Sequence, residues 1–131
     1  MSDAIKVMGF GTFDGLHPGH LNFLRQLKEL GDEVYVVIAR DRNVKRIKGK
    51  KPVYNEKERL EALKKSGLVD RVLMGHATDF YHMINKFQPH VIGLGYDQKA
   101  DTNDLQKVFP KMEIRRLNAL EPEKYKSSLL N

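Results

Sequence analysis

The chain has 131 residues, of which 40% are hydrophobic, and this size fits one domain over residues 1–131. Because it contains no cysteine, disulfides, thiolate metal sites and a cysteine nucleophile are excluded. No apolar run approaches the roughly 18 residues of a membrane span, and residues 1–4 do not resemble a signal peptide, so we expect a cytoplasmic protein without a membrane partner. A formal net charge of +6 favours anionic partners such as nucleotides or nucleic acid.

Strand-like and helix-like segments alternate along the chain. Apolar and β-branched runs predict strands at residues 5–10, 33–39, 69–74, 91–94 and 112–117. Apolar residues at helical spacing predict helices at residues 21–30, 55–66 and 103–108, and another between Asp79 and Pro89. This alternation implies right-handed βαβ units, and we expect an α/β fold: a single domain with a doubly wound, parallel, five-stranded sheet.

Several helix ends carry recognisable signals. Gly31 stands where a C-terminal glycine is expected after the first helix, and Gly67 ends the second helix. Asn55, followed three residues later by Glu58, is close to a capping box. Thr78 or Asp79 is predicted to cap the third helix, whose apolar face consists of Phe80, Met83, Ile84 and Phe87.

The most informative stretch is GTFDGLHPGH at residues 11–20, between the first strand and the first helix. Pro18 suits the first helical position, which places His17 at the N-cap and His20 one turn along. The free N–H groups and positive dipole end of such a helix attract anions. Two imidazoles at this spacing can face the same anion, and Gly19 lets a phosphate approach the backbone closely. The stretch therefore predicts a phosphate site at the start of the helix.

Other common sites for phosphate or metal do not match this stretch. The dinucleotide-binding pattern G-x-G-x-x-G fails at Asp14, and the chain has no G-x-x-x-x-G-K-[ST] string. A metalloprotease zinc site needs two histidines four residues apart with a Glu between them, and that pattern is also missing. His76, His82 and His90 are expected to be structural.

Four stretches are expected at one edge of the sheet, because ligands of parallel sheets bind beyond the carboxyl ends of the strands. They are residues 14–20, 40–51 and 95–98, and the tail after Leu117. The stretch 40–51 is predicted to be a loop that overhangs the phosphate site, and its alternative is a solvated surface or nucleic-acid patch. Its seven cations are Arg40, Arg42, Lys45, Arg46, Lys48, Lys50 and Lys51.

The string at residues 11–20 resembles the G-T-F-D-x-x-H-x-G-H signature of the cytidylyltransferase-like nucleotidyltransferases. The resemblance implies a Rossmann-like nucleotidyltransferase fold and an enzyme that joins a nucleoside triphosphate to a phosphorylated acceptor, releasing pyrophosphate. It also implies that His17 and His20 contact the triphosphate and stabilise charge in the transition state. The remaining nucleotide contacts that it implies in this string are Thr12, Phe13, Pro18 and Gly19.

The same resemblance assigns roles to later residues. Lys48 matches the catalytic lysine of the family, with Arg46 as a second basic contact to the nucleotide. Asp97 matches a carboxylate that helps to bind the nucleotide. Tyr125 and Ser127 stand where relatives begin a final phosphate-binding helix with hydroxyl side chains.

Two further assignments concern an arginine and a metal. Arg59 matches an arginine in the following helix of relatives, and the alternative is a surface ion pair with Glu56 or Glu58. The resemblance implies Mg²⁺, because pyrophosphate leaves more easily when a cation bridges its oxygens. Asp14 is the candidate protein ligand for that cation.

The acceptor substrate is left open between two pairs of substrates. The G-x-D-Q string at residues 95–98 resembles archaeal-type FAD synthetases, and residues 44–49 resemble loops of sugar-phosphate adenylyltransferases. These resemblances favour ATP and FMN as substrates, giving FAD. The first alternative is a cytidylyltransferase that uses CTP and glycerol 3-phosphate or another small alcohol phosphate. The second is a non-catalytic nucleotide or nucleic-acid binder, and family members often form homodimers.

Overall fold

In a computed structural model, residues 4–76, 79–96, 98 and 100–118 of the protein are described, and they contain a five-stranded parallel sheet. The strands are β1 (Lys6–Gly11), β2 (Glu33–Ile38), β3 (Arg71–Met74), β4 (Val91–Leu94) and β5 (Glu113–Arg116). Their order across the sheet is β3-β2-β1-β4-β5, and every neighbouring pair is parallel. The predicted α/β fold with a doubly wound parallel sheet is confirmed.

Helices cover both faces of this sheet. They are α1 (Pro18–Glu29), α2 (Asp41–Lys48), α3 (Glu56–Lys65), α4 (His82–Phe87) and α5 (Thr102–Val108). One core cluster joins the sheet to residues of α1 and α3, and the other joins it to residues of α4 and α5. None of the helices in the described part of the chain is long and apolar enough to cross a membrane.

Helix α1 packs on the middle of the sheet, where the strands beneath it carry glycine. Leu27 of α1 is fully buried over Gly9 of β1 and Gly93 of β4. A Cβ added at Gly9 would lie 2.5 Å from Leu27 Cδ1, so a larger residue there would force the Leu27 side chain to move. This contact packs α1 directly onto β1 and β4.

The order of the strands reverses between β1 and β4, and this is the place where open parallel sheets bind ligands. The Gln98 side chain bridges the two strand ends there: its Nε2 donates to the Phe10 carbonyl at 2.5 Å, and its Oε1 accepts from Gly95 N at 2.9 Å. These two hydrogen bonds therefore hold the ends of β1 and β4 together at the base of the crevice between them.

The basic stretch at residues 40–51 is largely helical, so the prediction of a loop is wrong. Val44 is the buried residue of α2, Ile47 is its other apolar residue and is exposed, and the remaining six residues are charged or polar, so the apolar pattern was too sparse to predict a helix. Its charges suit the helix dipole, with Asp41 in the first turn and basic residues in the last. Gly49 ends the helix in the left-handed conformation, at φ 79°.

The other predicted helix ends are confirmed in part. The capping box of Asn55 and Glu58 is present, and Gly67 follows α3 with φ 72°. Gly31 is not a left-handed cap; instead, a Cβ there would lie 2.7 Å from the Ile5 carbonyl oxygen, so glycine allows a close approach of two segments.

The predicted start of the third helix is wrong for Asp79, and Thr78, the other predicted cap, lies outside the described residues; the predicted apolar face is confirmed for Met83, Ile84 and Phe87 but not for Phe80. Helix α4 begins at His82, and its N-cap Tyr81 makes no side-chain capping bond; Asp79 accepts a hydrogen bond from Tyr81 N instead. Phe80 therefore precedes the helix and is 47% exposed, whereas Met83 and Ile84 are buried as predicted.

Candidate active site

His17 and His20 cap the N-terminus of α1 reciprocally. The Nδ1 atom of His17 accepts from Gly19 N at 3.1 Å and from His20 N at 3.3 Å, and the Nδ1 atom of His20 accepts from His17 N at 3.4 Å. The predicted N-cap is confirmed, but the amides of Gly19 and His20 are not free as expected, because imidazole satisfies them. An anion at this helix end would therefore meet the rings before the amides.

The hydrogen bonds also determine the tautomer of both rings. Since each Nδ1 accepts an N–H, the neutral imidazole carries its proton on Nε2. The rings stack with centroids 3.7 Å apart and planes inclined by 21°. The result is a stacked pair of imidazoles, each with an Nε2–H donor.

Burial keeps this imidazole pair neutral. It lowers the pKa of His17, and it lowers the pKa of His20 to about 4, with the neighbouring His17 acting in the same direction. The charge of Lys48 lowers the pKa of His20 further, while a hydrogen bond to the Gly15 backbone and the charge of Asp14 oppose these effects. At neutral pH the pair consequently offers hydrogen bonds without adding positive charge.

The Phe13 ring helps to bury His20, and the Phe13 backbone adopts a strained conformation. Its ring meets the His20 ring edge to face at 5.3 Å and is itself buried. Its φ of 54° is left-handed, a conformation that strains a residue with a bulky side chain by about 1–3 kcal/mol. Strain of this kind gathers at functional sites.

The imidazole pair opens into a cleft of about 890 Å³ at the carboxyl ends of β1 and β4. The cleft brings together seven of the predicted site residues: Thr12, Phe13, His17, Gly19, His20, Arg46 and Lys48. Pro18 is exposed at the first position of α1, as predicted. Asp97, Tyr125 and Ser127 lie outside the described residues.

Arg59 ties the signature turn to the basic helix. Its guanidinium is 1% exposed and donates to the Thr12 carbonyl at 2.8 Å, to the Tyr54 carbonyl at 3.0 Å and to Asp41 Oδ1 at 2.7 Å. The alternative of a surface ion pair with Glu56 or Glu58 is wrong, because the side chain turns inward from α3 to reach Asp41. The sequence singles out this arginine but does not reveal its contacts.

The N-terminus of α2 is held from the start of α3. Asp41 N donates to Glu56 Oε1 at 2.9 Å, and Glu56 N donates to Asp41 Oδ2 at 3.3 Å. Together with the Arg59 ion pair, these bonds anchor one end of α2 while its other end carries Arg46 and Lys48 to the cleft.

Asp14 joins the signature turn to the segment before α3. Its Oδ2 accepts from Val53 N at 2.7 Å, and its Oδ1 accepts from Tyr54 N at 2.8 Å. These bonds support a structural role for the carboxylate. Among the residues that the structure describes, no group of three or more His, Cys, Asp or Glu could hold a metal ion.

Gln98 and His76 also line the cleft; the sequence predicts residues 95–98 at this edge of the sheet but assigns neither side chain a role there. Gln98 lines the cleft and links β1 to β4, although it was noted only as part of a G-x-D-Q string. His76 also lines the cleft, and its Nδ1 accepts from Asp79 N at 3.0 Å. Its position after β3 was the available signal.

The fold, the imidazole pair and the basic helix beside it together define a nucleotidyltransferase. The model of the cytidylyltransferase-like family matches residues 8–128, and the chain belongs to that family. The predicted family is confirmed, and with it the expectation of an enzyme.

Individual relatives narrow the class further. The chain is 42% identical over 127 residues to the FAD synthase of Aciduliprofundum boonei, covering 97% of this chain and 84% of that protein. It is 43% identical over 110 residues to the FAD synthase of Thermoplasma volcanium, covering 84% of this chain and 77% of the relative. A crystal structure described as a lipopolysaccharide core biosynthesis protein from Thermoplasma volcanium aligns with a TM-score of 0.84 and 39% identity, over 90% of this chain and 99% of that one.

Proposed function

We propose that this protein is an FMN adenylyltransferase, which transfers AMP from ATP to the phosphate of FMN and releases pyrophosphate. The observation that carries nucleotidyl transfer is the stacked imidazole pair in one cleft with Lys48. The choice of FMN is supported by relatives named FAD synthase, which are 38–43% identical over most of the chain.

The reaction needs no protein nucleophile. An oxygen of the FMN phosphate attacks the α-phosphorus of ATP, and the bond from that phosphorus to the oxygen bridging to the β-phosphate breaks. Pyrophosphate leaves with the electron pair of that bond. The protein contributes positioning and stabilisation of charge, which dominate catalysis of phosphoryl-type transfer.

Each group at the site has a distinct part in this step. The Nε2–H group of His17 donates to a triphosphate oxygen on which charge develops, and that of His20 does so in exchange for its hydrogen bond to the Gly15 backbone. Lys48 and Arg46, at the end of α2, supply the positive charge that the neutral imidazoles do not. Gly19 and Thr12 line the cleft beside the imidazoles and leave room for the phosphate chain.

A divalent cation fits the chemistry as a companion of the substrate. Mg²⁺ in such enzymes is held largely by substrate phosphates and water, with few protein ligands. The described residues offer no metal cluster of their own, and both oxygens of Asp14 accept backbone hydrogen bonds. We therefore propose that Mg²⁺ enters bound to ATP, where it neutralises charge on the pyrophosphate.

Paired assays with purified protein test the proposed reaction. One assay supplies ATP and FMN, and the other supplies CTP and glycerol 3-phosphate; both measure released pyrophosphate, and the first also measures FAD by chromatography. We expect pyrophosphate and FAD in equal amounts from the first assay and a far slower release in the second. Release with CTP and glycerol 3-phosphate alone would overturn the choice of FMN while leaving the class of enzyme intact.

Two properties of the protein remain predictions from the sequence: a cytoplasmic location and a homodimer. Light scattering coupled to gel filtration measures the second directly, since one chain has a mass of 15.1 kDa. A single species at that mass would contradict the dimer without affecting the proposed reaction.

A further inference from the structure

The cleft is larger than the phosphate chemistry alone requires. Its volume of about 890 Å³ lies near the upper end of the range of about 300–1,000 Å³ for small-molecule sites. The imidazole pair, Arg46 and Lys48 lie toward α1 and the end of α2. The segment before α4 contributes a different, apolar wall.

That apolar wall contains side chains that are exposed in the free protein. Phe80 is 47% exposed and Ile47 is 75% exposed, and both line the cleft together with the buried Met83. Exposed apolar groups that share a concave surface mark a place where a ligand covers them. Phe80 and Ile47 belong to different segments, so a ligand that covered both would bridge α2 and the start of α4.

The Phe80 ring is supported from behind. Its centroid lies 4.7 Å from that of Phe10, and the two planes are tilted by 40°. Phe10 is buried near the carboxyl end of β1, one residue before the signature string. A supported ring that remains partly open to the cleft is a suitable surface for stacking a flat aromatic ligand.

We propose that Phe80, backed by Phe10, forms with Ile47 of the same cleft the subsite for the isoalloxazine ring of FMN and so selects the acceptor. This inference rests on the proposed adenylyl transfer to FMN. Isoalloxazine is a planar three-ring system that gains from stacking, whereas glycerol phosphate has no aromatic surface to place there. The wall thus distinguishes the two acceptors by the presence of a flat ring, and the phosphate chemistry is common to both.

The decisive experiment measures the KM for FMN and the KM for ATP separately in the variant Phe80→Ala. We expect its KM for FMN to rise about tenfold while its KM for ATP stays unchanged, because one stacking partner is lost. Phe80→Trp keeps an aromatic face and should retain tight FMN binding. Val108→Ala is the matched control, since Val108 is 49% exposed on α5 away from this cleft.

Binding is measured independently of turnover through the fluorescence of FMN. Titration of wild-type protein into FMN should quench the emission, and Phe80→Ala should need about tenfold more protein for the same quenching. An unchanged unfolding temperature would show that Phe80→Ala still folds.

The outcomes are distinguishable. If the wild type makes FAD but Phe80→Ala raises the KM for ATP instead, the wall holds adenine and the inference is wrong. If the wild type makes FAD and neither KM changes, Phe80 contacts neither substrate. If the wild type makes no FAD from ATP and FMN, the proposed function itself fails.

Discussion

His17 performs two tasks that a pair of substitutions can separate. As N-cap it accepts two backbone hydrogen bonds through Nδ1, and as a proposed catalytic residue it donates through Nε2. His17→Ala removes both functions. His17→Asn keeps a side-chain oxygen that caps a helix well, but its amide ends short of the position of the imidazole Nε2.

The two variants should therefore differ in stability and agree in activity. Loss of an N-cap destabilises by about 0.5–2 kcal/mol. For a chain of 131 residues this corresponds to a fall in Tm of about 2–8 °C for His17→Ala, and His17→Asn should stay near the wild type. Loss of one preorganised donor lowers kcat about 100- to 1,000-fold, and we expect this for both variants.

The assay is pyrophosphate release at saturating ATP and FMN, with urea unfolding of the same preparations. The refuting result is a His17→Asn variant with wild-type kcat. In that case His17 would be a helix cap alone, and the loss of activity in His17→Ala would follow from fraying of α1. Equal losses of kcat at unequal stabilities would support direct stabilisation of charge.

Three further predictions follow from the contacts of the site. The pKa of His20 is near its ordinary value of 6.5 in the unfolded chain and about 4 in the folded protein. The free energy of unfolding should therefore be highest above pH 6.5 and fall by about 3 kcal/mol as the pH drops to 4. His20→Gln keeps the capping acceptor but cannot titrate, so its free energy of unfolding, measured with urea, should decline less over this pH range. Arg59→Met should destabilise the protein by about 2–4 kcal/mol, because it removes the hydrogen-bond donor to two carbonyls and the ion-pair partner of Asp41, whose side chain is only 36% exposed. An unfolding curve like that of the wild type would show that these Arg59 contacts do not stabilise the fold. Asp14→Asn should lower stability by about 1–3 kcal/mol without changing the Mg²⁺ concentration for half-maximal activity, since an amide NH₂ replaces one of the two oxygens and would face a backbone N–H donor. A raised Mg²⁺ requirement would instead support a metal ligand.

The strands of the sheet could be predicted from local sequence, because a buried parallel strand appears as a continuous run of apolar and β-branched residues. The run at 33–39 differs from β2 by one residue, and the capping box at Asn55 marks the start of α3 correctly. The signature turn was equally local: Pro18 and His17 take the positions expected of the first helical residue and its cap.

The errors share a different physical origin, namely contacts between segments far apart in sequence. Helix α2 buries only Val44 and leaves its other apolar residue, Ile47, exposed, so its sequence carries a weak helical pattern, and it is held by Arg59 from α3. The Arg59 side chain reaches Thr12, which is 47 residues away, and spacing along one helix cannot reveal such a bond. Phe80 has the spacing of a helical core residue, but α4 starts only after it.

The direction of the hydrogen bonds at α1 was also beyond the sequence. Spacing predicted that His17 and His20 would face the same region, and they do. It could not show that the imidazole Nδ1 atoms would accept the terminal amides, because those amides were equally able to bind an anion directly.

The buried guanidinium of Arg59 has a consequence for engineering. Because one side chain fixes both the turn after β1 and the beginning of α2, the histidines and the lysine are held in register by a residue that belongs to neither segment. Transplanting residues 11–20 into another open parallel sheet would supply the imidazoles but leave the cation unplaced. The smallest portable unit of this chemistry therefore runs from β1 through the arginine of α3.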